Sequence, residues 1–173
     1  HPGNGTQEAF YDREDVLVVS LHGDYGAWDP HSHPQTGRPP EDGSGAGEGY
    51  TVNVTLPPGT GEAGYERAFE RIVEPVLEAY DPDLLLVSAG QDPGGMDPNG
   101  RMLLTKEGFA ALGERARAAA DGSLALVQEG GYHLSHLAYC TLGALEGALG
   151  VETDVSDPFD LLEEDQPAAN DWI

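Results

Sequence analysis

The sequence predicts an α/β domain with a mostly parallel sheet flanked by helices, and two observations carry that expectation. Apolar runs of strand length alternate with stretches of helical periodicity, which is the pattern of βαβ units. Two of those runs, Leu84-Leu85-Leu86-Val87 and Leu124-Ala125-Leu126-Val127, then open into Ser88-Ala89-Gly90-Gln91-Asp92 and Glu129-Gly130-Gly131-Tyr132. Open parallel sheets bind ligands in the crevice outside the carboxyl ends of their strands, so Asp92 and Tyr132 are candidate site residues by placement. His1, at the start of the chain, is a third candidate.

Taken in order, residues 16–22 form a continuous apolar run typical of a strand buried on both faces. From 23 to 49, Pro30, Pro34, Pro39, Pro40 and many glycines leave no room for a regular element. Loops this long in compact domains tend to be functional or disordered. Function is favoured here, because Trp28, His31, His33 and the turn Pro34-Gln35-Thr36-Gly37 could wall a pocket. Residues 50–56 alternate as a strand and end at Pro57-Pro58-Gly59-Thr60-Gly61. A helix is expected over 62–80, where Tyr65, Ala68, Phe69, Ile72, Val73, Val76, Leu77 and Tyr80 share one face. Pro75 removes the donor that would bond the Arg71 carbonyl and predicts a kink. Next come a buried strand over 83–89, a glycine-rich loop, and a helix over 105–120 with Thr105 as N-cap and Glu107 in its first turn. A strand over 123–128, a glycine loop and a helix over 134–149 complete residues 1–150 as one domain. The acidic segment 151–173, with Pro158 and Pro167, is expected to wrap the surface or stay mobile.

At 173 residues the chain suits one domain with a real core. Thirty-one acidic residues against eight basic ones give a formal charge of −23, and Lys106 is the only lysine. That balance makes nucleic acid a poor direct partner. It fits a halophile-type surface, with an acidic partner-docking face as the alternative. There is no apolar run of 18 residues and no leader pattern, which argues against a membrane partner. With a single cysteine, Cys140, the chain reads as soluble, intracellular and cytoplasmic. Its oligomeric state has no signature.

Asp92, between Gly90 and Pro93-Gly94-Gly95, projects from a tight loop and suits a metal ligand; it also reads as an Asp capping a turn. Tyr132 could donate its hydroxyl to a developing oxyanion, or pack on the core as a helix-start aromatic. His1, beside a glycine-rich turn, could ligate metal through its imidazole or belong to a mobile terminus.

Together these fragments, with His1-Pro2-Gly3-Asn4-Gly5-Thr6, Val19-Ser20-Leu21-His22 and Gly49-Tyr50-Thr51-Val52-Asn53-Val54, occur in an order that resembles the histone deacetylase family, in particular its class II-like microbial members. The resemblance covers roughly residues 1–150. It implies the arginase/deacetylase fold and a zinc-dependent amidohydrolase acting on acetylated lysine, a polyamine or a small-molecule amide. It places His1 and Asp92 as zinc ligands and Tyr132 as the catalytic tyrosine. Substrate contacts would fall on Trp28, His33, Asn99, Gly130 and Gly131. A structural K⁺ or Na⁺ would fall on Phe10, Arg13, Val16, Ser20 and Leu21.

This chain departs from the family pattern in several places. His1-Pro2-Gly3 stands where the family commonly has His-His-Gly, and Asn99 stands where many relatives carry an apolar tunnel residue, which suggests a more polar entrance. The family's first zinc-ligand Asp and its general-base histidine pair precede the point that matches His1. The chain is therefore expected to be the C-terminal half of a catalytic domain. An inactive truncated remnant that folds or binds without catalysis is the competing reading. A copper site using the His1 amine and ring with His22 or His33 is a third.

Overall fold

The computed structural model describes residues 1–24 and 36–159. The chain divides into two compact units, His1–Pro58 and Gly59–Ile173.

In the first unit, helix α1 (Asn4–Phe10) leads into strand β1 (Val18–Gly23), which pairs in parallel with β2 (Thr51–Leu56). The register runs from Val18 opposite Thr51 to Gly23 opposite Leu56. A single 3₁₀ turn, Gly45–Gly47, precedes β2. Helix α1 has almost no apolar face, and Gln7 is its only buried residue. A polar network holds the helix instead. Asn53 Nδ2 donates to Gln7 Oε1 at 2.8 Å, and Gln7 Nε2 donates to Glu41 Oε2 at 2.6 Å. Burial pushes the Glu41 carboxyl up, but donors from Gln7, Gly37 and Arg38 outweigh it and hold the group below its ordinary value.

In the second unit, α2 (Glu62–Ala68) and α3 (Glu74–Tyr80) are joined by one π turn, Phe69–Val73. The kink expected at Pro75 takes this form. Pro75 sits in the first turn of α3, where a missing N–H is tolerated, and the wider turn before it absorbs the lost bond. Strand β3 (Leu85–Ala89) pairs in parallel with β4 (Leu124–Gln128) through α4 (Lys106–Ala119), and α5 (Leu134–Leu149) follows. Thr105 caps α4 as expected, its hydroxyl accepting from the Gly108 N–H. Gly150, at φ 66°, ends α5 in the left-handed conformation that glycine adopts without strain. The helices α4 and α5 approach closely because small residues meet at their contact. A Cβ on Gly147 would lie 1.9 Å from the Ala110 carbonyl oxygen. Leu104, Phe109, Ala116, Cys140 and Ala144 are buried there.

One expectation is corrected. The run containing β3 reads as a buried strand, yet Leu84 and Leu86 are 58 % and 59 % exposed. Among the described residues β3 pairs only with β4, and apolar character by itself does not specify what covers a face.

Residues 151–159 contain neither helix nor strand but are pinned at several points. Glu146 accepts from the Thr153 N–H at 3.0 Å and from its hydroxyl, and Lys106 Nζ pairs with Glu146 at 2.9 Å in a buried contact. Lys106 Nζ also donates to the Val155 carbonyl at 2.6 Å. A pair this well buried, with a further hydrogen bond on each partner, is costly to break from one side.

Candidate functional site

The site in the second unit is built where β3 and β4 end side by side. Ser88 stands opposite Val127 and Ala89 opposite Gln128, so the segments carrying Asp92 and Tyr132 leave the sheet together. Main-chain bonds join them further on: Glu129 N donates to the Ala89 carbonyl at 3.1 Å and Gln91 N to the Gly130 carbonyl at 2.8 Å. Gln128 Nε2 donates to Gln91 Oε1 at 2.6 Å and to the Gly130 carbonyl at 3.3 Å. Gln91 is 3 % exposed, so this amide pair is an internal tie between the two loops.

Asp92 and Tyr132 converge at Gly130. A Cβ built on Gly130 would lie 3.1 Å from Asp92 Oδ1 and 3.4 Å from the Tyr132 hydroxyl. A Cβ on Gly90 would come within 2.7 Å of the same Oδ1. Glycine at both positions keeps a side-chain carbon from crowding that oxygen. Asp92 is 5 % exposed and Tyr132 51 %, so a buried carboxylate and a phenol open to solvent address one small volume.

A residue that sequence reasoning passed over holds the tyrosine's backbone. Asp97 Oδ2 accepts from the Tyr132 N–H at 2.6 Å, and its Oδ1 accepts from the Asn99 and Gly100 N–H groups at 2.8 and 3.1 Å. Asn99 therefore belongs to a turn fastened to Tyr132 through Asp97. The signal was the Asx-turn composition of Asp97-Pro98-Asn99-Gly100, which marks the turn without naming its partner. Gly131, at φ 135°, makes the bend between Gly130 and Tyr132.

The first unit carries His1 and the five residues expected around a monovalent cation. His1 is exposed and leads into Pro2-Gly3. Gly3 N donates to Ser20 Oγ at 3.4 Å, Ser20 Oγ lies 2.8 Å from His22 Nδ1, and His22 Nε2 lies 2.7 Å from the Gly37 carbonyl. The carbonyl can only accept, so His22 carries its proton on Nε2 and accepts from Ser20 on Nδ1. Burial pushes the His22 ring below its ordinary value, consistent with that neutral tautomer. Arg13 pairs with Asp15 at 2.6 Å and sits 5.8 Å from the Phe10 ring centroid. Val16 is half-buried just ahead of β1, which bears Ser20 and Leu21. Trp28, His31 and His33 lie outside the described residues.

A family model for the histone deacetylase domain matches residues 1–148. The chain belongs to the histone deacetylase family. It is 44 % identical to histone deacetylase 8 of Arabidopsis thaliana over 98 % of this chain and 46 % of that protein. It is 40 % identical to the histone deacetylase-like amidohydrolase of Pseudomonas aeruginosa over 98 % of this chain and 44 % of that one. Among solved structures, the HDA15 HD domain matches with a TM-score of 0.80 at 35 % identity, covering 90 % of this chain and 43 % of that one. The fold is thus that of histone deacetylase domains, the arginase/deacetylase fold expected from the sequence. The chain spans about half the length of the curated relatives it matches.

Proposed function

We propose that the protein is a zinc-dependent amidohydrolase that removes acetyl groups from the amides of lysine, a polyamine or a small molecule. The observation that carries this reading is the convergence of Asp92 Oδ1 and the Tyr132 hydroxyl at Gly130, within a chain of the histone deacetylase family. Asp92 and, from the sequence pattern, His1 would hold the metal. They fit zinc in kind, since a carboxylate and an imidazole are both ordinary zinc donors, and glycine at 90 and 130 keeps side-chain carbon away from Asp92 Oδ1. Catalytic zinc takes three protein ligands and a water. Among the described residues no group of three or more His, Cys, Asp or Glu could hold a metal ion, so a third ligand would come from outside them. When bound, zinc supplies Lewis acidity and lowers the pKa of a coordinated water to about 7.

This chain's own residues supply the oxyanion side of the reaction, while the general base that the family pattern places before His1 would come from outside them. The Tyr132 hydroxyl donates a hydrogen bond to the scissile carbonyl oxygen and strengthens it as negative charge develops there. Asp97 fixes the Tyr132 main chain beforehand, so little reorganisation is needed when the charge appears. Gly130 and Gly131 present bare backbone to the acyl group, and Asn99 makes the entrance polar. A K⁺ or Na⁺ held by main-chain oxygens of Phe10, Arg13, Val16 and Leu21 with the Ser20 hydroxyl would brace the first unit.

The test is hydrolysis of an acetyl-lysine amide and of an acetylated polyamine by the full-length protein. Activity should vanish with a chelator and return with zinc. Hydrolysis that a chelator leaves undiminished would sink the proposal.

A further inference from the structure

Loop 91–95, which carries Asp92, rests on a buried platform that the reaction does not use. A Cβ on Gly94 would lie 3.1 Å from His136 Nδ1 and 3.2 Å from Cys140 Sγ, so the loop backbone packs directly against these two side chains from α5. His136 is 2 % exposed and Cys140 is fully buried. The Cys140 thiol lies 3.6 Å from His136 Nε2, and the Asp157 carboxylate lies 3.2 Å from the same nitrogen. A Cys–His–Asp relay needs its partners on opposite ring nitrogens. Burial also pushes the Cys140 thiol up to about 12, so this is not a nucleophilic triad.

The cluster instead links the pinned segment 151–159 to the loop. Asp157 Oδ2 meets His136 Nε2 and accepts from the Lys106 N–H at 3.3 Å, while Asp157 Oδ1 accepts from the Phe159 N–H at 3.0 Å. The Phe159 ring then packs edge-on against His136, with centroids 5.2 Å apart. His136 is thereby fixed from the strap side by a carboxylate and an aromatic edge, and its opposite side supports Gly94.

We propose that Asp157 and His136 are positioning residues: the C-terminal strap, acting through the His136 ring, sets the place of the loop that carries Asp92. The role assigned to that loop rests on the amidohydrolase reading, but the mechanical link does not. Removing the strap's hold should let the loop open locally while the rest of the unit stays closed.

Native-state hydrogen exchange on the full-length protein tests this. Gly94 N donates to the Gln91 carbonyl and Gly95 N to the Leu104 carbonyl, so both amides report on the loop. Asp157→Ala should speed exchange at Gly94 and Gly95 by about tenfold or more, with the β3–β4 ladder and the α4–α5 core unchanged. Asp157→Asn keeps an oxygen to accept from His136 and should recover most of the protection. If Asp157→Ala does not fold, Phe159→Leu removes the aromatic edge alone and should speed the same two amides. Unchanged exchange at Gly94 and Gly95 would overturn the proposal. So would a uniform rise across the unit, or an Asn variant no better than Ala. The readout needs neither metal nor turnover, so a protein that passes it yet hydrolyses no amide fails the amidohydrolase reading alone.

Discussion

Gly130 is the residue on which the candidate site turns, because its missing side chain lets a carboxylate and a phenol share one volume. Gly130→Ala would put a methyl 3.1 Å from Asp92 Oδ1 and force one partner aside. The neighbour must give by only a few tenths of an ångström, so kcat should fall measurably but by less than the roughly 10²-fold of a 1 Å misplacement, with the melting temperature nearly kept, read by steady-state kinetics beside a thermal scan. Asp97→Ala should act differently. It removes the acceptor of the Tyr132 N–H and of two turn amides that are exposed or half-buried, so stability should fall by about 0.5–1.5 kcal/mol in urea titration, together with activity. The placement of Asp92 and Tyr132 just past two strand ends was legible in the sequence, because each follows an apolar run and flanks glycine. Asp97, Gln91, Gln128 and His136 were not. Asp97 and Tyr132 are 35 residues apart, Gln91 and Gln128 are 37 apart, and common polar types at such separations leave no local pattern.

At the scale of elements, the βαβ succession from β3 to α5 follows from apolar periodicity, and α5 has the bounds its sequence predicts. Helix α1 was not foreseen, since it is held by Gln7, Asn53 and Glu41 and has no apolar face to read. The π turn was only half legible: Pro75 announced a kink but not its form. Packing of α4 on α5 leaves no room for a methyl at the crossing, so Gly147→Ala should destabilise the protein by about 1–3 kcal/mol in denaturant titration. The strap was expected to wrap the surface or stay mobile, and residues 151–159 are fastened to Glu146, Lys106 and His136. Its attachment should depend on pH. Bonds from Thr153 first, and then Lys106, hold the Glu146 carboxyl below its ordinary value of 4.5. A carboxyl lowered by folding contributes stability that is present above the unfolded value and lost as pH falls through the folded one. Exchange at the Thr153 amide, corrected for intrinsic rate, should therefore accelerate below pH 4.5 and stay flat above it.

Over the whole molecule, charge dominates. One guanidinium, Arg115, is shared by Glu66, Glu70 and Glu74, and the chain as a whole carries −23. Repulsion among unpaired carboxylates is screened within about 10 Å at 0.1 M salt and within about 3 Å at 1 M. The melting temperature should therefore climb by several degrees, about 5 °C or more, between dilute buffer and molar KCl. A melting curve indifferent to salt would remove the halophile reading. The family could be read from the order of short motifs, whereas the exposed Leu84–Leu86 face of β3 could not, because coverage is a property of neighbours and not of the strand. We propose that Asp92 serves the metal and Tyr132 the oxyanion in one amidohydrolase site. Zinc content and turnover measured together on the full-length protein test it most directly. Asp92→Ala should lose both zinc and activity, while Tyr132→Phe should keep zinc and lose kcat by about 10²–10³-fold. Zinc retained by Asp92→Ala, or wild-type kcat in Tyr132→Phe, would rule out these roles.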